Sequence, residues 1–225
     1  MDSSERNIDP PIFRLRAVSF EYAADRPVLK NADFDLRRGE RLALVGPNGS
    51  GKTTLFHLMM GLIHPQTGTI EAFGAPRLRE SDFVEVRARV GLLFQDSDDQ
   101  LFSPTVLEDV AFGPLNFGRT PREARAIAER TLSSLGLHGF ANRVTHKLSG
   151  GQRRLVALAT VLAMEPEALL LDEPSSGLDA KTVDRLVAIL GELPQAIIVI
   201  SHDESFLRRT TTRRCRLEDG KILED

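Results

Sequence analysis

The chain predicts an α/β fold in three parts: a core on a mainly parallel sheet, an antiparallel β subdomain formed near the N-terminus, and an α-helical subdomain inserted into the core. Three observations predict it. Residues 42–45, 169–171 and 197–200 are apolar without polar alternation, as strands buried on both faces of a helix-covered parallel sheet must be. A glycine-rich loop from Gly46 to Thr53 joins a strand-like run, 41–45, to a helix-like run, 54–60. After a strand-like stretch at 90–94, the pattern from Pro104 to about Met164 turns helical.

Taken in order, residues 12–22, 28–36 and 69–73 read as extended antiparallel strands. In the middle, Thr120-Pro121-Arg122-Glu123 combines an N-cap, a proline at the first helical position and a glutamate at N3, the capping-box pattern. Ala124, Ile127, Ala128, Leu132 and Leu135 follow at helical spacing, and Gly136 supplies the stop. Residues 95–165 therefore read as a helical subdomain set between two strands of the sheet. Asp179 caps a further helix whose stripe is Val183, Leu186, Val187 and Leu190. Asp219-Gly220 is a hairpin turn between 214–217 and 221–223. The whole reads as one domain, 12–225, behind a polar tail, 1–11.

At 225 residues and 41% hydrophobic content the chain is long enough to bury a full core. Lys plus Arg number 29 against 32 Asp plus Glu, so no global field favours nucleic acid and any pull on an anion must be local. The single cysteine, Cys215, excludes an internal disulfide and a cysteine-rich zinc site. No export peptide is expected at the N-terminus. The longest apolar runs fall far short of the roughly 18 residues of a membrane span. The expectation is a cytosolic chain that would serve a membrane only through a partner.

Gly46, Gly49 and Gly51 let backbone N–H groups turn toward phosphate oxygens without Cβ clashes, and the helix that follows adds its positive end. Lys52 is placed to reach the outer phosphates and Thr53 to hold Mg²⁺. Two further apolar runs end in reactive side chains: Asp172 and Glu173 after one, Ser201, His202 and Asp203 after the other. In open α/β sheets ligands bind beyond the carboxyl ends of the strands, so the three ends point to one site. Asp172 suits Mg²⁺ and Glu173 suits activation of a water, although an acidic turn before Pro174 is the plainer reading of that pair taken alone. Leu148-Ser149-Gly150-Gly151-Gln152 opens a helix apolar nearly all round and forms an anion-binding turn with no lysine. Such a turn is most useful against a phosphate held elsewhere, for instance on a second copy.

These motifs, in this order and spacing, resemble the ATP-binding cassette (ABC) ATPases that drive membrane transporters, over essentially residues 12–223. Gly46, Pro47, Asn48, Gly49, Ser50, Gly51, Lys52 and Thr53 match the Walker A loop, Gln95 the Q-loop and Ser149, Gly150, Gly151 and Gln152 the signature. Leu169 to Glu173 match Walker B, Ser176 to Asp179 the D-loop, and His202 the switch histidine. Tyr22 falls where the family stacks an aromatic ring on adenine. The resemblance implies a P-loop NTPase core of RecA-like type. It implies two copies sandwiching two ATP molecules, with Lys52, Thr53 and Thr54 on one side and Ser149, Gly151 and Gln152 across the dimer. It also implies Glu173 as water-activating group, His202 at the γ-phosphate, Asp179 communicating across the dimer, and Mg²⁺ near Thr53, Gln95 and Asp172.

Residues 94–106 and 108–114 resemble more narrowly the ATPase subunits of energy-coupling factor importers, particularly the cobalt and nickel type. That implies a shared transmembrane coupling subunit, a separate substrate-binding membrane protein, and a place at the cytoplasmic face of the cell membrane. Cargo is expected to be cobalt or nickel, with a biotin-like vitamin as the alternative. Asp96, Asp98 and Asp99 read as solvated or partner-facing carboxylates rather than a metal site. Two departures stand out: Leu155 replaces an arginine of many relatives, and the chain ends at Asp225, where longer relatives carry a dimerising extension. The basic run Arg208, Arg209, Arg213, Arg214, Arg216 and Lys221 reads as a solvated face, with anionic lipid the less favoured reading. A soluble cassette acting on ribosomes or DNA would carry two cassettes or long coiled coils, and a GTPase switch would carry a base-reading Asn-Lys-x-Asp; the chain has neither.

Overall fold

In the computed structural model, which describes residues 10–23 and 26–225, two sheets pack through one core and helices cover the far side of the larger sheet. The polar tail expected over 1–11 lies outside the described residues except for Pro10 and Pro11. Strands β1 (Phe13–Glu21), β2 (Pro27–Leu36) and β3 (Arg41–Val45) precede helix α1 (Lys52–Met59). Then come β4 (Thr67–Ala72), β5 (Ala75–Pro76), α2 (Glu80–Arg89) and β6 (Val90–Leu93). Three helices follow, α3 (Val106–Asn116), α4 (Pro121–Ser134) and α5 (Gly150–Leu162), and the chain re-enters the sheet at β7 (Ala168–Asp172). It ends with α6 (Ala180–Glu192), β8 (Ala196–Ile200), α7 (Glu204–Thr210), β9 (Arg213–Glu218) and β10 (Lys221–Glu224).

The smaller sheet is antiparallel in the order β2-β1-β4-β5, and the larger runs β10-β9-β3-β8-β7-β6 with only the β9–β10 edge pair antiparallel. The missing alternation in the apolar runs now has its cause. Leu42, Leu44, Leu170, Ile198 and Ile200 enter the core shared with the antiparallel sheet. Ala43, Val45, Leu169, Leu171, Ile197 and Val199 enter the core under the helices. Successive side chains point to opposite faces, both of them dry. Each fully buried Leu, Ile or Val contributes about 1.5–3 kcal/mol of transfer free energy, so a polar residue at any of these positions would cost a comparable amount.

Register brings the functional strand ends level. Leu171 pairs with Val199 and Asp172 with Ile200, while β3 lies beside β8 from Arg41 to Ala43. The loops after β3, β7 and β8 therefore open at one edge of the core. Helix α5 lies so close to β6 that a Cβ on Gly91 would sit 2.1 Å from a Val161 methyl carbon, which fixes the height of the helix on the sheet.

The caps read from sequence are made. Thr120 Oγ1 accepts from the Glu123 N–H, and the Glu123 carboxylate accepts from the Thr120 N–H and hydroxyl. Asp179 accepts from the Thr182 N–H and hydroxyl at the start of α6. Two helices had no clear sequence signal. Helix α2 buries only Phe83 and Val86, and its start is capped by Asp82, whose carboxylate accepts from the Leu78 and Arg79 N–H groups. Helix α7 has one turn of partners, with Asp203 accepting from the Ser205 and Phe206 N–H groups. The basic run near the end is largely matched by acids: Arg213 pairs with Glu40 and Glu224, Arg214 with Glu204 and Asp225, Arg216 with Asp225, and Arg209 with Asp184. Cys215 is buried, its thiol pushed up to about 12 by desolvation, and carries no reactive role.

Candidate functional site

Gly46 adopts φ 146°, and a Cβ there would lie 2.2 Å from the Leu217 carbonyl oxygen of β9. Only glycine lets the chain leave β3 this close to its neighbour and swing into the loop. The loop then hands over to α1 at Gly51, also in a left-handed conformation at φ 105°. Lys52 folds its ammonium back to donate to the Gly46 and Pro47 carbonyls at 2.8 and 2.9 Å. Thr53 donates its hydroxyl to Asp172 Oδ2 at 2.6 Å, joining the first turn of α1 to the end of β7.

A cavity of about 660 Å³ collects Tyr22, Asn48, Gly49, Gly51, Lys52, Thr53, Thr54, Gln95, Asp172, Glu173 and His202. Gly46, Pro47 and Ser50 are absent from its wall and supply backbone and turn geometry instead. Val28, Ser176 and Ile200 line it as well; Val28 and Ile200 are apolar wall residues that no motif marks. Tyr22 is exposed, stands edge-to-face on Phe20 at 4.9 Å and shares a 3.2 Å hydrogen bond with the Thr54 hydroxyl.

Glu173 is held in an uncommon backbone conformation, φ 48°, with its N–H donating to the Ile200 carbonyl. Strain of this kind concentrates at functional sites and costs about 1–3 kcal/mol. Its carboxylate faces His202: Oε1 lies 3.5 Å from Nε2, and the His202 backbone N–H donates to Oε2 at 3.4 Å. Oε1 is buried and has no hydrogen-bond donor among the described residues. A buried acceptor without a donor is costly, and an incoming water would satisfy it.

Burial pushes the Asp172 carboxyl up from its ordinary range, against the Thr53 hydroxyl and the positive charges of Arg154 and Lys52. Burial likewise pulls the Lys52 ammonium down, opposed by Glu173 and Asp172. The donor set, a threonine hydroxyl and a desolvated carboxylate with the Gln95 amide on the same wall, consists of hard oxygens and fits a small divalent cation. Among the described residues, no group of three or more His, Cys, Asp or Glu is placed to hold a metal by itself.

Ser149, Gly150, Gly151 and Gln152 are not in this cavity. They line a second one of about 570 Å³ together with Asp179, Lys181 and Arg185. Ser149 caps α5 in a reciprocal pair, its Oγ accepting from the Gln152 N–H and the Gln152 side chain accepting from the Ser149 N–H. The two halves of the motif set thus occupy separate concavities of one chain. Leu155, the departure noted above, is buried in the apolar core under the helices. The residue before it, Arg154, is the buried cation of α5, a placement no motif indicated. The signal lay in its position: a charge inside a helix that is otherwise apolar on nearly every face.

A mainly parallel sheet whose first strand feeds a glycine-lysine-threonine loop, with a carboxylate pair at the end of the strand one removed from it, defines a P-loop nucleoside-triphosphate hydrolase. The ABC transporter family profile matches residues 29–176, and the chain belongs to that family, as an ATP-binding and ATP-hydrolysing cassette. It is 51% identical over 213 residues to a protein of Nitratidesulfovibrio vulgaris provisionally named as an ABC transporter ATP-binding protein, covering 94% of this chain and 78% of that one. It is 39% identical over 218 residues to the energy-coupling factor transporter ATP-binding protein EcfA of Methanothermobacter thermautotrophicus, covering 95% and 70% respectively. The structure of cbiO1 from Clostridium perfringens, part of the ABC transporter complex cbiONQ, superposes with a TM-score of 0.85 at 33% identity, over 95% of this chain and 87% of that one.

Asp172 gives a test of the site's electrostatics. A carboxyl whose value is raised on folding favours the fold while protonated, and that contribution is lost as pH rises through the raised value. Asp172→Asn keeps an acceptor for Thr53 and removes the buried charge. The nucleotide-free variant should melt above wild type near pH 7, by about 2–4 °C per kcal/mol gained, with the gap closing toward about pH 4. A variant that melts below wild type across that range would mean that the ionised Asp172 stabilises the empty site.

Proposed function

We propose that this chain is the ATP-hydrolysing subunit of a membrane importer of the energy-coupling factor type, acting as a dimer at the cytoplasmic face of the membrane. Its cargo is a transition metal ion, cobalt or nickel. The observation that carries the reading is the split of the phosphate-binding elements between two cavities of one chain. Lys52 and Thr53 stand in one and Ser149 in the other, so a complete site needs two copies facing each other.

Within that site Lys52 leaves the loop carbonyls for the outer phosphates, and the N–H groups of Lys52, Thr53 and Thr54 in the first turn of α1 would serve the anion. Thr53, Asp172 and Gln95 would hold Mg²⁺, which would neutralise phosphate charge. Glu173, its Oε1 without a donor and aimed beside His202, takes the proton of the attacking water. His202 is placed to contact the γ-phosphate, and Tyr22 offers an exposed ring to the base. Oriented donors in a closed interface stabilise spreading phosphoryl charge better than water does.

A membrane partner is supported by the surface beside Gln95. Among the described residues no helix is long and apolar enough to cross a membrane. Gln95, Phe94 and Asp96 line an 850 Å³ cavity that shares Thr53 and Asp172 with the nucleotide cavity. A few residues on, exposed Phe102 and Phe112 meet edge-to-face at 4.8 Å, with Leu115 and Phe117 also exposed. These exposed apolar side chains, on the segment that follows Gln95 in sequence, suit a partner's helix. The similarity to EcfA and cbiO1 supports the importer class, and the 94–114 segment supports the cargo.

Co-purification from gently solubilised membranes of the native host tests the reading. A transmembrane coupling subunit with a small substrate-binding membrane protein is the expected result, and ribosomal or DNA-associated proteins without a membrane partner would overturn it. Glu173→Gln should keep ATP binding and lower turnover about 10²- to 10⁴-fold; hydrolysis at the wild-type rate would remove Glu173 from its role. Ser149→Arg should abolish ATP-dependent dimerisation in size-exclusion chromatography while leaving nucleotide affinity of the monomer largely intact. Equal loss of monomer affinity would place Ser149 in the wrong half of the site.

A further inference from the structure

Arg154 is 4% exposed, and among the described residues its hydrogen bonds run to five backbone carbonyls and one hydroxyl. Its guanidinium is spent on backbone. One terminal nitrogen donates to the Phe94 and Gln95 carbonyls at 2.6 and 3.0 Å and reaches the Ser97 hydroxyl at 3.4 Å. The other donates to the Asp172 carbonyl at 2.8 Å and to the Glu173 carbonyl, and Nε reaches the Pro174 carbonyl at 3.4 Å. Three segments far apart in sequence, the Gln95 loop, the carboxylate pair and the helix that Ser149 caps, thus meet on one side chain.

A planar fork with five N–H groups can serve carbonyls on two sides at once, whereas an ammonium is a point donor. The left-handed Glu173 peptide is pinned from both directions, its N–H by Ile200 and its carbonyl by Arg154. Gln100 adds a second strap, accepting from the Phe94 N–H and donating to the Ala157 carbonyl and the Thr160 hydroxyl of α5. We propose that Arg154 is a positioning residue for hydrolysis: it locks the backbones of Gln95 and Glu173 to helix α5, so that nucleotide engaged at Ser149 sets the aim of the catalytic carboxylate. The proposal rests on Glu173 as the water-activating group.

The test compares wild type, Arg154→Lys, Glu173→Gln and the Arg154→Lys/Glu173→Gln double variant with ATP and Mg²⁺. Arg154→Lys should lower kcat about 10- to 100-fold, as a small misplacement of a reacting group does, with KM for ATP within about threefold of wild type. The double variant should dimerise with ATP as fully as Glu173→Gln alone. Wild-type kcat in Arg154→Lys would overturn the proposal, and so would a kcat loss matched by equal losses of ATP affinity and dimerisation, which is what general loosening of the fold produces. Wild-type turnover by Glu173→Gln would instead remove the reading of Glu173. Should Arg154→Lys fail to fold, native-state hydrogen exchange on the wild-type protein decides. A clamp requires the hydrogen-bonded amides of Phe94 on one side and of Glu173 and Ser176 on the other to open as one unit, with protection factors within about tenfold; independent opening of the two segments would overturn it.

Discussion

Lys52, Asp172 and Arg154 lie almost out of contact with water at the carboxyl end of the central sheet, and their desolvation sets the terms for everything around them. A charge moved from water into protein costs several kcal/mol unless partners replace the lost solvent. The chain supplies those partners from backbone. Two loop carbonyls take the Lys52 ammonium, five carbonyls take the Arg154 guanidinium, and the Thr53 hydroxyl meets Asp172. These contacts are adequate for the empty site and exchangeable at two of the three positions. Phosphate oxygens can replace the Gly46 and Pro47 carbonyls, and a divalent cation can join Thr53 and Asp172. Nothing exchangeable stands in for the Arg154 carbonyls, which belong to the segments proposed to carry the chemistry.

The same layer explains why the helical insertion is built so firmly beneath its exposed aromatic surface. Asp109, 3% exposed, accepts from the Phe102 and Ser103 N–H groups and from the Thr145 hydroxyl. It ties the segment after the Gln95 loop to the turn that precedes Leu148 and Ser149. The backbone adds the Thr145 N–H to the Pro104 carbonyl and the Val106 N–H to the Arg143 carbonyl. By contrast, the ion pairs of the terminal hairpin are largely exposed, and such pairs contribute about 0–1 kcal/mol each. Their chief effect is to spend the positive charge of the basic run within the chain, which leaves less of it for an anionic surface.

Much of this was legible before any coordinates. The Gly46 to Thr53 loop between strand and helix, the unbroken apolar runs and the Thr120 and Asp179 caps are local patterns, and local patterns act through geometry that neighbouring residues impose. Helix α2 was not legible because its face toward the core is only Phe83 and Val86, with Arg77, Arg87 and Arg89 stabilised by Glu80, Glu85 and Glu167 rather than by a wide apolar stripe. Arg154 was not legible, because adjacent arginines at a helix start usually face water. Its burial depends on carbonyls contributed from about 60 residues before it and 20 residues after it.

By itself the sequence determined which strands are buried on both faces, where the phosphate loop turns and which side chains end the strands, since steric freedom at glycine and apolar periodicity act within a few residues. Only the tertiary structure decided the rest. Parallel register placed Asp172 beside Ile200 and brought Glu173 within reach of His202, separating the Ser149 turn from Lys52 into its own cavity. The physical reason is that desolvation and hydrogen-bond satisfaction are properties of a place in space. A residue such as Arg154 acquires them only when distant segments have already folded around it.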